Sequence, residues 1–202
     1  MGNPKDNETR ERIVAAAREL FRTQGLDGVN MRELAEKAGV NKGLLHYYFK
    51  TKDSIFKEVF QHQAGLLYAA ITHILEAQGP FESKVSAIVD RYFDLLGEMP
   101  SLPVFVLFEV QRDPRIIVDS PLREILMRVA GYLGPELKKR GLPPERADGI
   151  QFLLDLVSLC AFSFAMLPAI SKALKLNKAQ KTAFLHERKR HILAVLAASY
   201  RP

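Results

Sequence analysis

The residues best suited to chemistry with a partner molecule lie at positions 31–49, which read MRELAEKAGVNKGLLHYYF. An asparagine suited to N-capping precedes each of two short helical segments, Met31–Ala38 and Lys42–Tyr48. Gly39 between them accepts the left-handed conformation that a tight turn needs, and Ala35 is small enough to lie where two helices cross. The residues expected to point inward are Leu34, Ala38, Val40, Leu45 and Phe49. The pattern predicts a helix-turn-helix, with an ordinary αα-hairpin as the alternative.

Basic and polar groups lie on the face of the second segment opposite Leu45 and Phe49. Lysine, histidine and tyrosine side chains reach phosphate oxygens and base edges, and a glycine lets the backbone approach DNA. Arg32 can bind a guanine through two parallel hydrogen bonds, and Lys52 lies at a helix N-terminus that favours an anion. The residues concerned are Arg32, Lys42, Gly43, His46, Tyr47, Tyr48 and Lys52. For each of them, a solvated surface side chain is the alternative.

Helical periodicity runs through almost the whole chain, and no segment alternates apolar and polar residues as a half-buried strand does. We therefore predict an all-α fold of about nine helices. An N-terminal three-helix domain is expected over residues 1–52 and a C-terminal helical domain over residues 53–202, joined rigidly by the fourth helix. The predicted helices are Thr9–Gln24, Met31–Ala38, Lys42–Tyr48, Lys52–Glu76, Phe81–Leu96, Pro103–Arg112, Pro121–Gly141, Pro144–Pro168 and Asn177–Ser199.

The composition is that of a globular protein, because 48% of the 202 residues are hydrophobic and 26% are charged. A formal charge of +6 favours a polyanionic partner; residues 1–52 contribute +3, from ten Lys and Arg against seven Asp and Glu. The most apolar stretch, residues 150–170, contains Gln151 and Asp155, so we expect it in a core or a dimer interface rather than a membrane. Without a secretory signal, the protein is expected to be soluble and cytoplasmic. Cys160 is the single cysteine, which excludes an intrachain disulfide.

Two stretches, RIVAAARELFRTQGLDGVNMRELAEKAGV and NKGLLHYYFKTKDSIFKEVF, resemble the TetR family of transcriptional regulators. The resemblance covers residues 10–60. It implies a DNA-binding N-terminal domain and a C-terminal domain for ligand binding and dimerisation, in which helices 8 and 9 pair with their symmetry mates. It also implies a homodimer that binds a palindromic operator, most commonly as a repressor, and releases it when a small molecule enters the core.

By position, the resemblance implies a particular set of DNA-contacting residues, and at one of these positions the residue type differs from the one that the family often has. Leu44 stands where the family often has Thr, Ser or Asn, and it offers only an apolar contact, such as one to a thymine methyl group. In a dimer, the two recognition helices are expected about 34–36 Å apart, and a ligand that shifts the fourth helix changes that spacing. The implied DNA-binding residues are Asn30, Arg32, Lys42, Gly43, Leu44, His46, Tyr47, Tyr48 and Lys52.

Large apolar residues in the middle of the chain are candidates to line a cavity for a hydrophobic ligand, with ordinary core packing as the alternative for each of them. Glu109 interrupts the apolar run VFVLFEV, so it can pair with a cationic ligand or with a local arginine such as Arg112. The candidate ligand-binding residues are Tyr68, Phe93, Phe105, Phe108, Glu109, Met127 and Phe162.

An enzyme is not favoured, because the sequence has no glycine-rich phosphate loop and no zinc-binding spacing. His186 and His191 are five residues apart, about 140° around a helix, whereas the zinc motif needs four. We expect no cofactor and no metal. The basic run Arg188–Arg190 is expected on a solvated helix face. A sequence-independent architectural DNA-binding protein and a helical small-molecule carrier without DNA binding are the alternative functions.

Overall fold

The computed structural model describes residues 4–201, and over that range the chain forms ten α-helices and no β-strand. The predicted all-α class is confirmed. One helix more than expected is present, because residues 115–118 form a single helical turn too short to show a helical period in sequence. The helices are α1 (Pro4–Gly28), α2 (Met31–Ala38), α3 (Lys42–Tyr48), α4 (Lys52–Glu76), α5 (Phe81–Glu98), α6 (Leu102–Arg112), α7 (Arg115–Val118), α8 (Pro121–Lys139), α9 (Gly149–Ala173) and α10 (Lys178–Ser199).

Most helix ends follow local capping signals. Ser120 caps α8 by accepting a hydrogen bond from the Leu122 N–H, with Pro121 in the first turn, as predicted. In α1 the backbone of Gly25 is left-handed, with φ 71°, so regular helix ends where the sequence predicted, although α1 begins earlier than expected.

The predicted limits of α9 are wrong at both ends. The helix starts at Gly149 because the Asp148 side chain accepts hydrogen bonds from the Ile150 and Gln151 N–H groups. It also continues five residues beyond Pro168. A proline inside a helix removes one backbone donor, but the buried Phe164 and Ser171 on either side keep this helix against its neighbours.

A single cluster of buried apolar side chains extends from α1 to α10. Phe56 of α4 is central to it: its ring lies 5.1 Å from that of Phe21 in α1 and 4.3 Å from that of Phe105 in α6. Helix α4 therefore packs against both α1 and α6, and the rigidity of this connection stays a prediction. The division of the chain into domains at residue 52 stays a prediction.

Helix α9 is only partly covered by the rest of the protomer. By length and composition it could cross a membrane, and 28% of its most apolar 18-residue window is buried. Leu154, Phe162 and Met166 are exposed along one side of it. The core of one protomer therefore buries one face of α9 and leaves the other uncovered.

Gly149 marks a very close approach between α8 and α9. A Cβ atom there would lie 2.2 Å from the carbonyl oxygen of Ala130 and 2.9 Å from the backbone nitrogen of Gly134. We predict that Gly149→Ala destabilises the protein by about 1–3 kcal/mol, the usual effect of overpacking, measured as a lower midpoint of urea unfolding.

The matched control is Gly131→Ala in α8, where an added Cβ meets no atom within 4 Å and the residue is exposed. Because alanine favours the helix, this change is expected to stabilise the protein by roughly 1 kcal/mol or less. Equal effects of the two substitutions would contradict the close α8–α9 contact.

Candidate nucleic-acid interface and apolar cavity

Helices α2 and α3 are held in place by side-chain caps and a left-handed turn. The Asn30 side chain accepts hydrogen bonds from the N–H groups of Arg32 and Glu33, at 3.1 and 2.9 Å. Gly39 ends α2 with φ 65° and ψ 35°, and the Asn41 side chain accepts a 2.7 Å hydrogen bond from the Leu44 N–H. These groups satisfy backbone donors and acceptors that the helix ends leave free.

The residues predicted to point inward do so. Leu34 and Leu45 are fully buried, Ala35, Ala38 and Phe49 are nearly so, and Val40 is half-buried. The cation of Arg10 also lies over the Phe49 ring, 5.5 Å from its centroid. The packing fixes the direction in which the opposite face of α3 points.

That opposite face of α3 is exposed to solvent. Tyr47 is 75% exposed and Leu44 37%, while Lys42 and His46 are also exposed. A Cβ atom at Gly43 would lie 3.3 Å from the Asn41 side-chain oxygen, so glycine leaves room for the cap as well as for an approaching backbone. The structure thus brings the five α3 candidates before Tyr48 together on one accessible surface.

Four other DNA-binding candidates have partners within the protein. Asn30 serves as the α2 cap. The exposed Arg32 pairs with Glu36, Nε to Oε1, at 3.1 Å. Tyr48 is half-buried, and its hydroxyl donates a 2.8 Å hydrogen bond to Asp6, which raises the pKa of the tyrosine. The Lys52 ammonium lies 3.4 Å from the carbonyl oxygen of Asp27.

Sequence reasoning passed over Lys50, which is exposed between α3 and α4. Across the described part of the chain, no ion pair joins it or Lys42 to an acidic side chain. In the sequence, its position one residue after the α3 C-cap could have identified Lys50 as a candidate for a DNA contact. Both ammonium groups can therefore bind a phosphate without first giving up an internal partner.

A second feature is an apolar cavity of about 490 Å³ in the helical body. Its walls come from α4, α5, α6, α7, α8 and α9, and Tyr92 and Ser158 provide the only hydroxyl groups among its lining side chains. Burial raises the pKa of Tyr92, so this phenol stays neutral. The volume and lining are typical of a site for a hydrophobic small molecule.

Of the seven candidate ligand-binding residues, the structure places Phe162 in the cavity lining. Phe93 stacks edge-on against Phe164, with centroids 5.2 Å apart, and Phe105 packs on Phe56. The remaining apolar candidates lie outside the lining: Tyr68 is half-buried beneath Arg128, and Phe108 and Met127 are exposed. Phe93, Phe105 and Tyr68 therefore match the core alternative, whereas Phe108 and Met127 belong neither to the cavity lining nor to the core.

Glu109 is buried and pairs with Arg112, Oε2 to Nη2, at 2.6 Å. The local-arginine alternative is therefore the one observed. The pair lines a polar cleft of about 270 Å³ together with Lys57 and the ion pair of Asp113 and Arg115. The hydrogen bonds from Arg115 lower the pKa of Asp113 to about 2.

The helix-turn-helix has clear relatives. Residues 13–59 match the family of bacterial regulatory proteins known as the tetR family. The chain is therefore similar to that family over α2, α3 and the adjoining parts of α1 and α4. It is 29% identical over 93 residues to the HTH-type transcriptional activator FasR of Mycolicibacterium smegmatis, covering 46% of this chain and 42% of that protein. It is 25% identical over 121 residues to the fatty acid metabolism regulator protein of Bacillus subtilis, covering 60% of each.

The chain thus spans about half the length of these curated relatives, whereas the fold is shared over nearly the whole chain. The Bacillus subtilis regulator FadR in complex with stearoyl-CoA matches with a TM-score of 0.66 and 18% identity, covering 94% of this chain and 98% of that one. A transcriptional regulator from Saccharomonospora viridis in complex with choline matches with a TM-score of 0.69 and 18% identity, covering 92% and 94%.

We predict that Lys42→Ala weakens binding to duplex DNA of any sequence, because one phosphate contact is lost. The slope of log affinity against log salt should become shallower by about one unit. Fluorescence anisotropy of a labelled duplex over a salt series measures both quantities.

The control is Lys181→Ala, which removes the same charge from an exposed position on α10. It should leave the affinity nearly unchanged. If Lys42→Ala behaves like this control, Lys42 is a solvated side chain; if it changes the preference at a single base pair, Lys42 reads a base edge.

Proposed function

We propose that this protein is a sequence-specific, DNA-binding transcriptional regulator that binds a palindromic operator as a homodimer. The observation that carries the proposal is the exposed face of α3 on a firmly capped helix-turn-helix. A recognition helix must present several side chains to the major groove while its other face stays packed. Lys42, Leu44, His46 and Tyr47 are exposed together, and Leu45 between them is fully buried.

Each side chain is assigned the DNA contact that suits its chemistry. Lys42 and Lys52 bind phosphates, Arg32 and His46 reach base edges, and Tyr47 offers its hydroxyl to a phosphate oxygen. Arg32 must first exchange its exposed partner Glu36 for the DNA, which costs little because surface ion pairs are weak.

We further propose that a hydrophobic effector occupies the apolar cavity and releases the operator, so the protein acts as a repressor. Support comes from the cavity's size and lining. It also comes from one relative named for fatty acid metabolism and one fold neighbour solved with stearoyl-CoA. An effector that carries a long acyl chain fits all three observations.

The proposed dimer forms through α9 and α10, which are helices 8 and 9 of the sequence-based numbering. The uncovered apolar side of α9 supports this assignment, since such a surface is costly to leave in water. A regulator of this kind works in the cytoplasm and needs no catalysis, in keeping with relatives that are transcriptional regulators.

Selection of binding sites from random duplex DNA, at about 0.15 M salt, tests the function. We expect enrichment of an inverted repeat whose half-sites are separated by one turn of DNA, because two recognition helices must engage one face. Strong binding without an enriched sequence would instead indicate an architectural protein. Absence of binding by effector-free protein would indicate a small-molecule carrier.

Addition of stearoyl-CoA to the operator complex tests the effector. We expect release of the DNA, and a lower affinity for the ligand when operator is present, since a ligand shifts an equilibrium only by its differential affinity for the two states. Ala161→Phe, which places a ring in the cavity, should weaken release. Ala69→Phe at an exposed position of α4 is the matched control. Equal ligand affinities with and without operator would contradict this mechanism.

A further inference from the structure

The walls of the apolar cavity carry very few polar groups. Within residues 4–201, none of the side chains that line it is charged, and only Tyr92 of α5 and Ser158 of α9 carry a hydroxyl group. An ionised group taken into such a space finds no counter-ion, and burial of an unpaired charge is very costly. The lining therefore disfavours a ligand that brings a carboxylate or an ammonium group into the cavity.

Two cations of α10 point toward α5 and α9, but both have partners. The Arg188 Nε donates a 3.0 Å hydrogen bond to the Ser163 hydroxyl. The Lys189 ammonium pairs with the Asp90 carboxylate at 2.6 Å. Neither cation lines the cavity, so neither is placed to neutralise a carboxylate inside it.

The two hydroxyl groups of the lining differ in their hydrogen bonding. The Ser158 hydroxyl donates a 3.1 Å hydrogen bond to the carbonyl oxygen of Asp155, so its hydrogen already has an acceptor. In the described part of the chain, Tyr92 takes part in no hydrogen bond, and its oxygen is not one of the buried polar atoms that lack a partner. The Tyr92 hydroxyl is therefore an accessible donor without an acceptor.

The surroundings of Tyr92 indicate where this donor is accessible. The side chain is half-buried, so part of its surface is open. Burial nevertheless raises the pKa of the phenol, because the surrounding protein disfavours the charged form. A group that is both accessible and enclosed borders an internal space, and the internal space that Tyr92 lines is the apolar cavity.

We propose that the Tyr92 hydroxyl donates a hydrogen bond to an uncharged carbonyl oxygen of the effector, so that the cavity selects acyl esters and thioesters over free fatty acids. This inference rests on the proposed effector site and specifies which ligands that site accepts. A carbonyl oxygen gives the phenol the partner that it lacks in the empty protein, whereas a hydrocarbon does not. An ionised fatty acid also accepts the hydrogen bond, but it brings a buried charge that one such bond does not offset.

Competition with a fluorescent hydrocarbon tests the proposal in the full-length protein. Diphenylhexatriene, which becomes fluorescent in apolar surroundings, is displaced by methyl decanoate or by decanoate at about pH 7, where the carboxylate is ionised. Tyr92→Phe removes only the hydroxyl group. Tyr132→Phe makes the same change at a half-buried position of α8 that does not line the cavity, and Ser158→Ala removes the other hydroxyl of the lining.

We expect the wild-type protein to bind methyl decanoate about tenfold or more tightly than decanoate. Tyr92→Phe should bind the ester about three- to tenfold more weakly, the usual effect of losing one hydrogen bond. Its affinity for diphenylhexatriene, which has no acceptor, should not fall. Tyr132→Phe and Ser158→Ala should retain the wild-type affinity for the ester.

Urea unfolding of the ligand-free protein separates recognition from a structural role of the hydroxyl. Because the Tyr92 hydroxyl has no partner in the empty protein, Tyr92→Phe should leave the unfolding midpoint unchanged or raise it. A structural role predicts instead a lower midpoint and an equal loss of affinity for the ester and the hydrocarbon.

Two results would overturn the proposal. Equal affinities for decanoate and methyl decanoate would mean that the carboxylate stays outside the cavity and that the site does not select uncharged ligands. An unchanged affinity for the ester in Tyr92→Phe, or a loss that appears in Ser158→Ala instead, would remove the assignment of Tyr92.

The operator experiments distinguish this inference from the proposed function. Selective binding of the ester without an enriched DNA sequence retains the role of Tyr92 and rejects the regulator. Release of the operator by the same concentrations of stearoyl-CoA in the wild type and in Tyr92→Phe retains the regulator and rejects the role of Tyr92. Failure of both the ester and the hydrocarbon to bind rejects the effector site, and this inference with it.

Discussion

The packing of Phe56 between Phe21 and Phe105 joins the first three helices to the remainder of the molecule. Phe56 is 1% exposed, and loss of such a ring typically costs about 3–5 kcal/mol. One helical turn further along α4, Phe60 forms part of the cavity wall. A single helix therefore contacts both α1 and the cavity, within about 6 Å along its axis. A change in cavity occupancy that displaces α4 would also displace α1.

Two polar contacts reinforce this joint at its outer edge. The guanidinium of Arg10 lies 2.8 Å from the carboxylate of Glu58, and the Lys52 ammonium reaches the carbonyl of Asp27. Both pairs are at least partly exposed, so each contributes little to the free energy of unfolding by itself. They link α1 to α4 at two points besides the Phe21–Phe56 contact.

The two sides of α9 have different surroundings. One face packs into the core through Phe152, Leu156, Cys160 and Phe164, whereas the opposite side exposes the large apolar side chains of Leu154, Phe162 and Met166. The thiol of Cys160 illustrates the buried side, since burial raises its pKa to about 12 and keeps it protonated and unreactive. The uncovered side has no such enclosure within one protomer. A helix that is apolar on all sides needs a partner on each side.

The sequence by itself determined the local structure of the helix-turn-helix, because caps, a left-handed glycine and helical spacing act over four residues or fewer. Asn30, Gly39 and Leu45 have the roles that their residue types predict. Only the tertiary structure decided which apolar residues face the cavity. Helical spacing identifies a buried face, and Phe93 and Phe162 satisfy that rule equally. The positions of the neighbouring helices distinguish them, because Phe162 borders the cavity whereas Phe93 packs against Phe164. Tyr48 shows the same limit, since its partner Asp6 is 42 residues away in sequence and is brought near by packing alone.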